Sequence, residues 1–355
     1  MKNVTSRVRS LAIDLAKNVF QLHGTDAKGK IVMKSKINRA SLLEFVANLE
    51  PCNIYLEACG TANYWGRKFK EHGHRVKLIN PKYVKPYVKR NKNDANDAAG
   101  IAAAARDPDM RFCEVKSEAQ QDMQSIHRIR SLLVQQRTAL ANQIRGLLAE
   151  YGFAIPQGIR HLSKELPKVL EQNPTNLGSL VFNCLLDLYE HFCALSKRVT
   201  YYDNKIKGLS KSNEACQRLE TIPGIGPMTA TILASTLGNG GGFKNGRHFA
   251  AFLGLTPKQH SSGGKERMLG ISKGGDTYTR TLLIHGARNV LRWVDKKAGS
   301  RPNHINCWLK RLLERRGYNK TAVALANKTA RIAWAIIKEG GSYNINYKPS
   351  FIKAA

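Results

Sequence analysis

Four carboxylates in the first hundred residues have the types and spacing for phosphoryl-transfer chemistry. Asp14 follows Leu11 and Ile13 in an alternating run and so falls on the opposite face of a strand. Glu57 ends the segment NIYLE, again on the face opposite its apolar neighbours Ile54 and Leu56. Asp94 and Asp97 stand at i and i+3, so one face of a helix presents both. Carboxylates brought to one spot repel one another, and divalent cations are the usual remedy. Two such ions about 3.5–4 Å apart can activate an attacking oxygen and stabilise a departing one in a phosphodiester transfer. The donors are all hard oxygens, with no His or Cys in the pattern, which favours Mg2+ or Mn2+ over zinc. Taken singly, each acid also reads as an ordinary strand end or helix cap; the ordered set carries the inference.

Two further motifs suit contact with a phosphate backbone. In LETIPGIGPMTATIL, residues 219–233, Gly224 and Gly226 permit a tight turn between two short helices. Pro227 can open the second helix, and Ala230 allows close packing. The pattern resembles a helix-hairpin-helix element, whose backbone N–H groups hold a phosphate without reading sequence. Downstream, FAAFLGLTPKQHSSGGKERMLGISKGGD (249–276) runs from an apolar helix into a Gly-rich loop carrying Ser261, Ser262, Lys265, Arg267 and Lys273. Basic side chains there would offset phosphate charge. Read from the residues alone, a hydroxyl among them is expected as a hydrogen-bond donor rather than a nucleophile, since no His apart from His260 stands in an obvious base position.

The elements that must position these groups follow from periodicity. Residues from Arg7 to about Asn80 read as a strand through Asp14, strands at Val19–His23 and Ile31–Ser35, a helix capped by Ser41, the strand ending at Glu57, a helix over 61–72 and a strand over 76–80. A helix begins near Asp94. Three meandering strands followed by alternating helix and strand predict an α/β layer fold of roughly 110 residues. Beyond it the strands stop. Residues 117–150 predict one long helix with Ile126, Ile129, Leu133, Leu140, Ile144 and Leu147 on a stripe, followed by a connector punctuated by Pro156, Pro167 and Pro174. From Val181 to Leu209 apolar residues recur at alternating steps of four and three, the seam of a coiled coil. That seam could close within one chain or join two protomers. A helical region over 213–255 and helices near 277–298, 303–317 and 320–339 complete the chain.

Composition narrows the partners. The 355 residues carry 57 Lys and Arg against 26 Asp and Glu, a formal net charge of +31. A compact protein at that charge repels itself unless something anionic neutralises it, so nucleic acid or an acidic membrane surface is the expected partner. Residues 241–355 hold 22 basic against five acidic side chains, making the last third the expected phosphate-facing surface. No uncharged apolar run reaches the length of a membrane span, and Asp14 and Lys17 interrupt the basic N-terminus where a secretory signal would need an apolar run. A cytoplasmic protein is expected. Seven cysteines without a C-x-x-C pair support neither a disulfide framework nor a zinc finger and predict reduced, mostly buried thiols. Tyr83, Tyr87, Trp293 and Trp308 lie among basic residues, placed equally well for stacking on bases or for packing.

The succession AIDLAK, YLEACGTANYW, LINPKYVKPYVKRNKNDANDAAGIA, LETIPGIG, FAAFLGLTPKQHSSGG and ISKGGD resembles the DEDD transposases of bacterial insertion sequences that are guided by a bridge RNA, the group related to the Piv invertase. The resemblance spans nearly the whole chain. It implies an RNase H-like, RuvC-like nuclease domain over 1–112 in which Asp14, Glu57, Asp94 and Asp97 form the metal-binding tetrad. A coiled-coil linker over 113–211 would join protomers into a dimer or tetramer. A C-terminal transposase domain over 212–355 would carry the helix-hairpin-helix and the serine. It implies that Ser262 attacks the DNA phosphate, in a site completed by another protomer's tetrad, although Ser261 immediately precedes it. Gly224, Gly226, Lys265, Arg267 and Lys273 would contact nucleic acid. The implied partners are a guide RNA and target and donor DNA at the nucleoid, and base pairing would then supply sequence choice. A Holliday-junction nuclease using metal-activated water, or a non-enzymatic packaging protein, are the rival readings.

Overall fold

The computed structural model describes residues 7–88, 93–172, 174, 175, 177–294 and 304–345. The chain divides into two compact units, Met1–Glu118 and Ala119–Ala355.

In the first unit the alternating segments form β1 (Ser10–Asp14), β2 (Val19–Thr25) and β3 (Ile31–Asn38), an antiparallel meander. Helix α1 (Arg39–Ala47) leads to β4 (Asn53–Glu57), α2 (Ala62–Glu71) leads to β5 (Arg75–Ile79), and both strands run parallel to β1. After the short α3 (Pro81–Val84) comes α4 (Asp94–Ala104), and the strand β6 (Phe112–Cys113) pairs antiparallel to β5. The six-stranded sheet has the order β3-β2-β1-β4-β5-β6. Neither α3 nor β6 is evident in the periodicity, being too short to show one. Asn38 caps α1 by accepting from the Ser41 N–H at 2.9 Å, so the expected cap at Ser41 is displaced by three residues.

Alternation divides the sheet's side chains into two cores. Leu11, Ile13, Ile54 and Leu56 are fully buried on the side covered by Leu42 and Val46 of α1 and Trp65 and Phe69 of α2. Ala12 and Ile79 pack on the opposite side with Ile101, Ala102 and Ala104 of α4. Asp14 and Glu57 share the parity of Ala12 and Tyr55 and therefore belong to the α4 side.

In the second unit α5 (Glu118–Glu150) and α7 (Ser179–Ser212) are 33 and 34 residues long. The proline-punctuated connector between them contains a helix, α6 (Ile159–Gln172), with Pro167 inside it. Leu162, Leu166 and Leu170 recur every fourth residue and are buried in one cluster with α5 and α7. Three buried leucines contribute roughly 1.5–3 kcal/mol each, which outweighs the ~3 kcal/mol cost of an interior proline. The same cluster takes up Leu185, Phe192, Leu195 and Val199, so this stretch of the 3.5-residue seam is filled by helices of its own chain.

The remainder comprises α8 (Glu214–Glu220), α9 (Pro227–Leu237), α10 (Gly246–Phe252), the antiparallel pair β7 (Pro257–Ser262) and β8 (Lys265–Ile271), then α11 (Thr277–Val294), α12 (His304–Arg316) and α13 (Tyr318–Glu339). The expected continuation of α11 to 298 lies outside the described residues. One core joins α8 through α13, with Leu219, Leu233, Phe249, Leu283 and Ala326 fully or almost fully buried. Helix α9 also packs on α7. The cysteines are all unpaired, but only Cys52 and Cys216 are buried, while Cys184 and Cys307 are exposed. Burial raises the Cys52 and Cys216 thiols to about 11, which keeps them protonated and inert. No helix among the described residues is long and apolar enough to cross a membrane.

Candidate functional site

Asp14, Asp94 and Asp97 converge: each offers a carboxylate oxygen within 4.8 Å of the others. Asp14 ends β1 and is half-buried, as is Asp97, while Asp94 is exposed. Asn93, not Asp94, caps α4, its side-chain oxygen accepting from the Asn96 N–H at 2.8 Å. Neither acid is needed as the cap, although both stand in the first turn, where the positive end of the helix dipole favours them. Around one ion with bonds of about 2.1 Å, opposite ligands lie about 4.2 Å apart, so small side-chain rotations would let all three carboxylates share it. The donor set fits a hard divalent cation.

Glu57 is not part of that close cluster. It follows Leu56, whose partner across the parallel ladder is Ile13, so Asp14 and Glu57 are the next residues on neighbouring strands and lie on one side of the sheet. Helix α4 packs chiefly over β1 and β2, which sets its first turn above Asp14 and leaves Glu57 one strand farther away. The structure thus brings three of the four expected carboxylates together and places the fourth on the adjoining strand.

In the second unit, the segment expected as a Gly-rich loop is a two-stranded hairpin. Gly263 and Gly264 form its two-residue turn with φ of +56° and +75°, the left-handed pair a type I′ connection requires. Short polar strands need an anchor, and Arg280 supplies one. Its guanidinium is buried and donates at 3.0 Å to the carbonyls of both Leu253 and Gly274, tying the chain entering the hairpin to the chain leaving it. Asp276 accepts from the Tyr278 and Thr279 N–H groups at the start of α11. Lys273 adopts φ +54°, unusual for a side chain with a Cβ, while its N–H bonds the Gly254 carbonyl at 3.1 Å.

Register separates the two serines. Ser262 pairs with Lys265 and His260 with Arg267, whereas Ser261 pairs with Glu266 and Gln259 with Met268. Directly paired residues share a face and neighbours alternate. Ser262 therefore lies with Lys265, His260 and Arg267, and Ser261 lies on the other face with Glu266, accepting a hydrogen bond from Gln259 Nε2 at 2.9 Å. All of these residues are exposed.

The turn between α8 and α9 has the expected shape, with Gly224 at φ +86° and Pro227 in the first turn of α9. Gly224 is explained by packing: a Cβ there would lie 2.7 Å from the Gly286 carbonyl of α11. Gly226 has open space around the same position.

A buried polar network went unforeseen. His127 of α5 is 2% exposed, with Nε2 2.9 Å from the Thr231 hydroxyl and Nδ1 3.0 Å from that of Tyr278. Thr231 donates to the Pro227 carbonyl, so it accepts from Nε2–H, and Nδ1 is left to accept from Tyr278. Burial, with the Arg130 cation beside it, lowers the imidazole to about 4 and keeps it neutral. Arg130 itself pairs with Asp203 of α7 at 2.5 Å. The signal was present: His127, Arg130, Val134, Arg137, Ala141, Ile144 and Leu148 follow the three-four spacing of a second seam with polar members.

The family model described as "Transposase", for DEDD transposases of the IS110 type, matches residues 11–153, and that described as "Transposase IS116/IS110/IS902 family" matches 216–301. The chain is 45% identical over 94% of its length to a "Probable family 20 transposase" of Pseudomonas aeruginosa, covering 98% of that protein. It is 44% identical, over 95% of its length and 91% of the relative, to the "Transposase for insertion sequence element IS1111A" of Coxiella burnetii. More distantly it is 25% identical to the "Pilin gene-inverting protein" of Moraxella bovis, over 84% of this chain and 83% of that one. The first unit accordingly has an RNase H-like α/β fold whose carboxylates belong to a DEDD transposase domain. The likeness extends along almost the full length of these relatives, and the chain belongs to the IS110/IS116 family of insertion-sequence transposases, enzymes that recombine DNA.

Proposed function

We propose that this transposase exchanges DNA strands through a covalent intermediate on Ser262, under the direction of a structured guide RNA, with Asp14, Glu57, Asp94 and Asp97 holding Mg2+ or Mn2+. The observation that carries the reading is the hairpin register, which sets Ser262 among Lys265, Arg267 and His260 and turns Ser261 toward Glu266. A DNA phosphate approaching the basic face meets the Ser262 hydroxyl; approach to the other face meets a carboxylate.

In the proposed step Ser262 Oγ attacks phosphorus. An Oγ–P bond forms as one P–O bond of the backbone breaks; the hydroxyl proton passes to water, and water returns a proton to the departing sugar oxygen, so the step is proton-neutral. The number of phosphoester bonds is unchanged, so rejoining a different strand needs no external energy. Lys265 and Arg267 neutralise the phosphate, with Lys273 and the backbone at Gly226 as further contacts. A divalent ion bound by the carboxylates would stabilise charge developing on the reacting oxygens. Asp14 and Asp97 are the half-buried members of the cluster and would fix the ion's position.

Guide-RNA binding and assembly into a dimer or tetramer are parts of the same proposal. The net charge of +31 supports a large nucleic-acid load, which a basic, shape-reading surface accommodates without a recognition helix. The deciding experiment is denaturing capture of a protein–DNA adduct on a cognate substrate with Mg2+. Wild type and Ser261→Ala should yield the adduct and Ser262→Ala should not. An adduct that survives Ser262→Ala, or cleavage by wild type with no adduct at all, would replace this reading with nuclease chemistry by activated water.

A further inference from the structure

A groove of about 1120 Å3 in the second unit is bordered by the start of α10, the helices α12 and α13, the segment 341–344 and the hairpin root at Pro257 and Ile271. Its volume exceeds the roughly 300–1,000 Å3 of ordinary small-molecule sites. The walls are largely apolar, yet among the described residues four cations stand on them, Arg247, Lys320, Lys328 and Arg331, against one acid, Glu339. Among the described residues none of the four takes part in an ion pair. Lys328 and Arg331 are one helical turn apart on α13, a like-charge spacing that disfavours the helix unless an anion joins them. The Lys328 ammonium lies 4.9 Å from the ring centroid of Trp308. Burial and the neighbouring Arg331 both lower its affinity for a proton, so the charge is held where bulk water does not fully solvate it.

We propose that this groove binds unpaired nucleotides of a DNA strand, with a base stacked on Trp308 and the adjoining phosphates held by Lys328 and Arg331. An aromatic ring flanked by uncompensated cations complements a base and its phosphate. A cation over an aromatic ring at a partly exposed position is held more weakly than a stacked base, so an entering base displaces the ammonium and the ammonium turns to the phosphate. DNA is the chosen nucleic acid because the groove opens at the root of the hairpin that carries Ser262. About five residues of strand, or ~17 Å, separate Pro257 from Ser262, so nucleotides in the groove would lie a few positions from the exchanged phosphate. The identity of the strand rests on the strand-exchange reading; the existence of the site does not.

The test measures binding of the full chain to dT20, rU20 and a 20-base-pair DNA duplex by anisotropy across 100–400 mM NaCl. Lys328→Gln with Arg331→Gln should weaken dT20 binding at least about tenfold and reduce its salt slope by about 1.4, for two phosphates on a single strand. Duplex affinity should stay within about twofold, which separates this site from general attraction to the phosphate backbone. On the unsubstituted protein, dT20 carrying one 5-bromodeoxyuridine should cross-link to Trp308 on irradiation, a readout independent of how the variant folds. Unchanged dT20 binding, equal losses on dT20 and duplex, or dependence on the groove for rU20 alone would each overturn the proposal. A change in oligomeric state with dT20 binding intact would assign the groove to a second copy of the chain instead.

Discussion

The carboxylate cluster can be tested by stability alone, with Asp97→Asn. Unit charges about 4.8 Å apart, the limit for the nearest oxygens of this cluster, repel by about 0.9 kcal/mol per pair in water and by about 3.5 kcal/mol at an effective dielectric of 20. Asp94 is exposed and the other two are half-buried, so the lower figure is nearer. Asp97→Asn removes two of the three pairs and relieves about 2 kcal/mol. It also removes a favourable charge from the first turn of α4, worth about 0.5 kcal/mol. The net gain without divalent ions is about 1.5 kcal/mol, or about 6 °C in the unfolding midpoint of a unit of this size. Saturating Mg2+ should then reverse the order, because only an intact cluster gains binding energy in the native state. Differential scanning calorimetry of wild type and variant in EDTA and in 10 mM MgCl2 measures all four midpoints. A variant less stable than wild type in EDTA, or one that gains as much from Mg2+, would refute the shared-ion argument.

Two other perturbations probe groups that the sequence motifs did not include. Arg280→Met should leave the Leu253 and Gly274 carbonyls without their buried donor, at about 1–3 kcal/mol each, and free the hairpin; trypsin should cut after Lys265 or Arg267 at least tenfold faster, and an unchanged rate would remove Arg280 from the anchor. His127 is neutral in the native state and has a folded value near 4 against 6.5 unfolded, so its contribution is fully present above pH 6.5 and is lost as pH falls through 4. The gap corresponds to about 3 kcal/mol. Urea midpoints between pH 7 and pH 4 should fall more steeply for wild type than for His127→Gln, and parallel curves would show that the imidazole does not titrate with unfolding.

Much of the architecture was legible locally. Strand alternation and helical spacing are properties of neighbouring residues, and they placed β1 to β5, the two long helices and the α8–α9 turn within a few residues of where they lie. The i, i+3 spacing of Asp94 and Asp97 likewise carried over directly to one turn of α4. Local signals misread places where tertiary contacts outweigh propensity: Pro167 sits inside a helix because three leucines bury against α5 and α7, and a glycine-rich stretch becomes a hairpin because Arg280 fastens its ends. A polar residue on a helical stripe, His127, gains its meaning from Thr231 and Tyr278, more than a hundred residues away.

What the sequence by itself determined was the inventory: which acids, which serines, how much positive charge, and the period of each element. Only the folded chain decided the pairings. Asp14 meets Asp94 and Asp97, while Glu57 stands one strand away, because α4 lies over β1 and β2. Ser262 and Ser261 are chemically identical and adjacent, yet a two-residue turn sends one to the basic face and the other to the acidic one. The physical reason is the same in both cases: a side chain's direction follows from its own backbone, but what it faces is set by which distant segment packs there.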